Sequence, residues 1–176
     1  MSRSKKLIVT ALFLIGACIL LYPAVSNKLA ERHQAEMISR YEQTVEELPK
    51  TDMKSEWEKA VKYNESVTGM SVEDPFILGS GSVLPGNYKD VLNVEEKEGV
   101  MGYIEIPAID VMLPIYHGVS ERVLRRGVGH METTALPIGG KGTHSVLASH
   151  RGLSTAKLFT DLDRMKEGDL FYIHVL

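Results

Sequence analysis

Residues 7–25, LIVTALFLIGACILLYPAV, form 19 consecutive positions without a charge. At about 1.5 Å per residue, a helix of that length crosses a hydrocarbon core of about 30 Å. Whatever follows is then tethered to a membrane. Arg3, Lys5 and Lys6 precede the stretch, which favours a cytoplasmic N-terminus and places the rest of the chain outside. Lys28 and Arg32 follow it in company with Glu31 and Glu36, which softens that asymmetry. A cleaved signal peptide is the competing interpretation, with Pro23, Ala24, Val25 and Ser26 as a weak cleavage site. The apolar run exceeds the roughly 7–15 residues of a signal-peptide core, so an uncleaved anchor is favoured. Cys18 faintly matches a lipoprotein processing site, but the largely apolar residues after it argue against lipidation. A thiol inside a bilayer behaves as a small hydrophobe and is no nucleophile.

Charge excludes some functions. Lys and Arg number 20 against 23 Asp and Glu, for a formal charge of −3, and nucleic-acid binding would need a basic face. Cys18 is the one cysteine, so there is no intrachain disulfide and no cysteine-rich metal site. Nothing points to a metal or an organic cofactor.

Beyond the anchor (residues 1–27), residues 28–64 carry two amphipathic patterns. Ile38, Tyr41, Val45 and Leu48 recur at helical spacing, and Pro49 ends that pattern. Thr51 or Asp52 is placed to cap a second helix presenting Met53, Trp57, Ala60 and Val61 on one side. These helices pack on the following domain or hold it off the membrane. Residues 65–98 form a linker broken by Gly69, Pro75, Gly79, Gly81, Pro85 and Gly86. Within it, Asp74, Pro75 and Phe76 are by themselves ordinary turn chemistry.

From residue 99 the pattern becomes β. Residues 100–107 and 109–116 are short, β-branched and bounded by Gly or Pro, as half-buried strands are. Residues 143–150 and 170–176 are further candidate strands, and 154–165 reads as a short helix or turn. Short, closely spaced strands argue for a barrel or sandwich. An apolar last strand with nothing to cover it is a liability in a finished domain, so residues 99–176 read as an incomplete, truncated β-barrel.

Several segments together resemble class C (pilin-assembling) sortases: GVGH at 127–130, LPIGG at 136–140, GTHSVLASHRGL at 142–153 and AKLFTDL at 156–162. The pair GYIEIP at 102–107 and LPIYHG at 113–118 joins them. The likeness covers about residues 74–176, and the anchor with two helices fits the same layout. Ser154 stands where many members have Pro. The resemblance implies a mainly β fold, a sortase-type β-barrel behind a transmembrane helix and two N-terminal helices. It implies a cysteine transpeptidase that cuts LPXTG-like sorting signals of pilins or surface proteins and joins pilin subunits covalently, on the extracellular side of the membrane.

His150 falls on the family's catalytic histidine position. An imidazole titrating near neutrality can stabilise a thiolate and protonate a leaving amine. Asp74, Pro75 and Phe76 match the class C lid, a loop over the active site that gates entry and excludes water. The family's nucleophile lies in a later Thr-Leu-x-Thr-Cys strand with an arginine beyond it. Arg125 and Arg151 do not match that arginine, so the expectation is a chain without transpeptidase activity of its own. A housekeeping sortase that anchors proteins to the cell wall is one alternative, and a non-catalytic, membrane-tethered binding module is another. His117, His130, His144 and His174 read as hydrogen-bonded or surface histidines. His144 and His150 are too far apart on an extended strand to share a metal.

Overall fold

The computed structural model describes residues 3–67, 86–94 and 98–176. Asp74, Pro75 and Phe76 lie outside the described residues. The chain begins with one 45-residue helix, α1 (Arg3–Glu47). The anchor and the first amphipathic pattern, expected as separate units, are a single rod. Pro23 lies inside it without ending it. Its most apolar 18-residue window has a mean hydropathy of 2.4, and none of that window is buried against protein. This helix is a candidate membrane span.

Further along α1, Gln34, Met37, Ile38 and Tyr41 are buried. Their spacing lays one stripe against the sheet. Val45 and Leu48, expected on the same stripe from their spacing, are only half-buried. Pro49 then separates α1 from α2 (Lys50–Val67). The amides of Asp52 and Met53 donate to the Pro49 carbonyl at 2.9 and 3.0 Å, so neither Thr51 nor Asp52 is the cap. Asp52 instead lies in the first turn, where a carboxylate favours the positive end of the helix dipole.

The expected face of α2 is also corrected. Ala60, Tyr63, Asn64 and Val67 are buried, whereas Trp57 and Val61 are exposed. Polar tips decide the rotation. The Tyr63 hydroxyl donates to the Glu132 carbonyl at 2.5 Å. Asn64 donates to the Leu136 carbonyl at 3.1 Å and accepts from the Leu136 amide at 2.7 Å. A hydrophobicity pattern alone counts such residues as surface.

The sheet has five strands in the order β4-β3-β2-β1-β5. They are β1 (Val100–Ile106), β2 (Val111–His117), β3 (Val128–His130), β4 (Leu147–Ala148) and β5 (Tyr172–His174). β1 pairs antiparallel with both β2 and β5, β2 and β3 run parallel, and β3 and β4 are antiparallel. The first two strands arise as expected. The predicted strand at 143–150 shrinks to the two residues of β4, and β3 and the short helix α3 (Glu121–Leu124) were not anticipated. The stretch 154–165 is turns ending in a 3-10 turn, Leu162–Arg164.

Alternation along β2 builds two cores. Val111, Leu113 and Ile115 face the main cluster with Ile104, Ile106, Ala60, Tyr63, Leu92, Leu136 and Leu158. Tyr116 faces the other way, joining Tyr41 of α1 and Val100. Burying each such aliphatic side chain contributes about 1.5–3 kcal/mol. β5 is the outer edge on one side, and Leu170, Phe171 and Tyr172 are exposed there.

Candidate active site

The loop from β2 into α3 and β3 decides where His150 stands. Gly129 in β3 has no room for a side chain. A Cβ there would run into the Gly118 carbonyl and come within 3.1 Å of Val123 and 3.2 Å of Leu124. That close approach packs α3 onto β3. β4 pairs Ala148 with Gly129, and the Ser149 hydroxyl donates to the Gly127 carbonyl at 2.6 Å. His150 follows at once and is brought beside the first residue of α3. Its Nε2 lies 3.2 Å from Oε2 of Glu121. The His150 side chain is 29% exposed, neither sunk in hydrocarbon nor free in water.

A carboxylate only accepts, so Nε2 carries the proton toward Glu121. Nδ1 has no partner among the described residues and is the nitrogen open to chemistry. Glu121 is shared, since Arg125 Nε donates to its Oε1 at 2.7 Å. That bond from Arg125, with a smaller contribution from His150, holds the Glu121 carboxyl below the ordinary carboxylate range. Behind the ring, the His150 carbonyl accepts from the Phe159 amide at 3.2 Å. The Gly152 amide donates to Thr160 Oγ1 at 3.1 Å, so the 154–165 loop braces the histidine from its far side.

The arginines near the site are both held in ion pairs. Arg125 pairs with Glu121, and Arg151 pairs with Asp163 at 2.8 Å. Cys18 is exposed on α1, within the apolar stretch and remote from the sheet. Among the described residues no group of His, Cys, Asp or Glu is gathered so as to hold a metal ion.

The other histidines are structural or exposed. His130 is fully buried. Its Nε2 faces the Ala135 carbonyl at 2.9 Å and its Nδ1 faces the Tyr88 hydroxyl at 2.9 Å. The carbonyl must accept, so Nε2 is the protonated nitrogen and Nδ1 accepts from Tyr88. Burial lowers the His130 pKa to about 4. The Gly118 amide donates to the same Tyr88 hydroxyl at 3.0 Å. His117 is held between the carbonyls of Gly99 and Val91. His174 stacks on Tyr103 with ring centroids 4.2 Å apart and pairs with Glu105 at 3.0 Å. His144 is exposed.

The sequence reading passed over Tyr88 and Glu121. Tyr88 sits in a stretch rich in Gly and Pro, where one aromatic has no pattern to join. Glu121 was findable, because Ser120 and Glu121 followed by Arg125 four residues on is a helix start with an ion pair of helical spacing.

Comparison with known proteins agrees with this architecture. Residues 104–175 match the Sortase domain family. Sortase A of Listeria monocytogenes is 28% identical over 171 residues, which is 96% of this chain and 67% of that protein. A crystal structure of sortase C from Streptococcus pneumoniae, described with that enzyme's pilin substrate specificity, superposes with a TM-score of 0.69 at 41% identity. It covers 80% of this chain and 68% of that one. Sortase C1 from Streptococcus agalactiae gives a TM-score of 0.70 at 37% identity, covering 80% of this chain and 70% of the other. The chain thus spans about two thirds of the length of these relatives. At this level of identity and superposition the chain belongs to the sortase family, and its structural neighbours include class C sortases.

Proposed function

We propose that this chain is the membrane-anchored, histidine-bearing part of a class C sortase, a cysteine transpeptidase that joins pilin subunits through LPXTG-like sorting signals. The observation that supports this best is His150. It stands just past β4, is partly open to solvent, has Nε2 turned to a carboxylate and leaves Nδ1 free among the described residues. An imidazole so held can take up a proton at Nδ1, and the resulting imidazolium can stabilise a nearby thiolate and protonate a leaving amine. Identities of 37–41% to sortase C structures, against 28% to a sortase A, favour the pilin class over a housekeeping anchor.

On this proposal the thiol is not Cys18, and neither Arg125 nor Arg151 is the oxyanion-stabilising arginine. The chain alone is inactive. Asp74, Pro75 and Phe76 are the lid, a role that rests on the sequence match. The boundaries are an anchor at 1–27, helices at 28–64, a lid-bearing linker at 65–98 and the barrel portion from 99, on the extracellular side.

A fluorogenic LPXTG peptide with a lysine acceptor tests the proposal. The 176-residue chain gives no transfer. A polypeptide that extends it with the family's Thr-Leu-x-Thr-Cys strand and later arginine does, and His150→Ala lowers its turnover at least a hundredfold. Turnover untouched by His150→Ala overturns the proposal.

A further inference from the structure

The end of the apolar stretch and the beginning of the folded domain are almost the same place on α1. Val25 is the last apolar residue of the stretch, before Ser26 and Asn27. Asn27, two positions later on the same unbroken helix, accepts at Oδ1 a hydrogen bond of 2.6 Å from the backbone amide of Lys157. One turn further, Ala30 packs against the main core and Gln34 donates to the Arg126 carbonyl at 3.2 Å. Two residues of helix raise the chain by about 3 Å. Each headgroup layer of a bilayer is about 5–7 Å thick. There is no spacer between span and domain.

We infer that the turn region around Lys157 is seated in the lipid headgroup layer, so the sheet domain rests on the membrane surface instead of standing away from it. The partner is the polar face of a phospholipid bilayer. Charge on this face is mixed, and its cations Lys157, Arg164 and Lys28 are each held by a carboxylate. Lys157 pairs with Asp161 at 3.3 Å, Arg164 pairs with the same carboxylate at 3.3 Å, and Lys28 pairs with Glu31 at 2.9 Å. Seating is therefore dictated by the geometry of α1 and carries no demand for anionic lipid. Zwitterionic phosphatidylcholine suffices.

The seating matters for the candidate site because the same turn region touches it. The Phe159 amide donates to the His150 carbonyl, two residues beyond Lys157. His150 then stands within one loop of the bilayer surface. This inference rests on α1 being a membrane span and not on the transfer chemistry.

The experiment uses the full chain in phosphatidylcholine vesicles. With Cys18→Ala as background, Ser154→Cys and Lys50→Cys each carry one fluorophore. Both positions are solvent-exposed in the protein itself. Lys50 lies past the end of α1, about 30 Å beyond Asn27 along the axis, and Ser154 lies three residues from Lys157. A nitroxide on the lipid headgroup quenches the label at position 154 at least threefold more than the label at position 50. Equal quenching overturns the seating. Failure of the chain to float with vesicles overturns it too, since α1 is then no span. Either failure leaves the His150 assay above unaffected, so the two proposals fall separately.

Discussion

His150 and Glu121 meet through Nε2 and Oε2 at 3.2 Å, across a gap of 29 residues in sequence. One lies just past β4, the other at the first residue of α3. Glu121 also holds Arg125, so its carboxylate is oriented before it meets the imidazole. In the neutral ring, donation from Nε2 leaves Nδ1 unprotonated, which fixes the tautomer.

That relationship predicts a spectroscopic change. In Glu121→Ala, the ¹⁵N shifts of the His150 ring move from the Nε2–H tautomer toward an even mixture. Glu121→Gln, whose amide oxygen still accepts, retains most of the preference. Identical shifts in all three proteins show that the contact does not orient the ring.

His130 makes stability pH-dependent. Its ordinary pKa of 6.5 falls to about 4 in the folded protein. Above pH 6.5 the ring is neutral in both states and costs nothing. Below it, the unfolded chain binds a proton that the folded chain refuses, so stability is lost as pH falls from 6.5 through 4. At about 1.4 kcal/mol per pKa unit the full loss is about 3 kcal/mol. Urea titrations at several pH values check this. A slope over that window that survives removal of the imidazole assigns it to other groups.

Asn64 bonds both backbone polar groups of Leu136, accepting from its amide and donating to its carbonyl. Asn64→Ala leaves a buried donor and acceptor without partners and lowers unfolding stability by about 2–4 kcal/mol. A loss of unfolding free energy below about half a kcal/mol contradicts the contact.

Gly129→Ala tests how α3 is set against β3. The added methyl collides with the Gly118 carbonyl and crowds Val123 and Leu124. Overpacking of this kind costs about 1–3 kcal/mol. Because α3 carries Glu121, the His150 tautomer preference weakens in the same variant. A stable protein with an unchanged His150 spectrum disproves the linkage.

The proposed lid has its own test. In a polypeptide carrying the downstream cysteine, Asp74→Gly combined with Phe76→Ala speeds modification of that thiol by a soluble reagent. Unchanged labelling removes the lid assignment.

Much of the architecture could be read from residue order. The β1–β2 hairpin announces itself through alternation bounded by Gly and Pro, and α1 and α2 through their periodicity and the proline between them. What escaped has a physical cause in each case. β3 is three residues long and β4 two, and their pairing depends on glycine packing and the Ser149 bond to Gly127. The buried face of α2 turns on Tyr63 and Asn64, whose partners lie about 70 residues away. His150 was legible only through a resemblance covering a dozen residues around it. Glu121, its neighbour in space, belongs to a different segment and is joined to it by the fold alone.

The unbroken passage of α1 through Pro23 has a mechanical meaning. On the proposed reading of α1 as a membrane span, helix alone joins the domain to the bilayer, with Pro23 as its interior proline. A bilayer thinner than the apolar segment makes the helix lean, and the sheet must lean by the same angle. On that same proposed reading, the thickness of the surrounding lipid becomes a control on how the face around His150 is aimed.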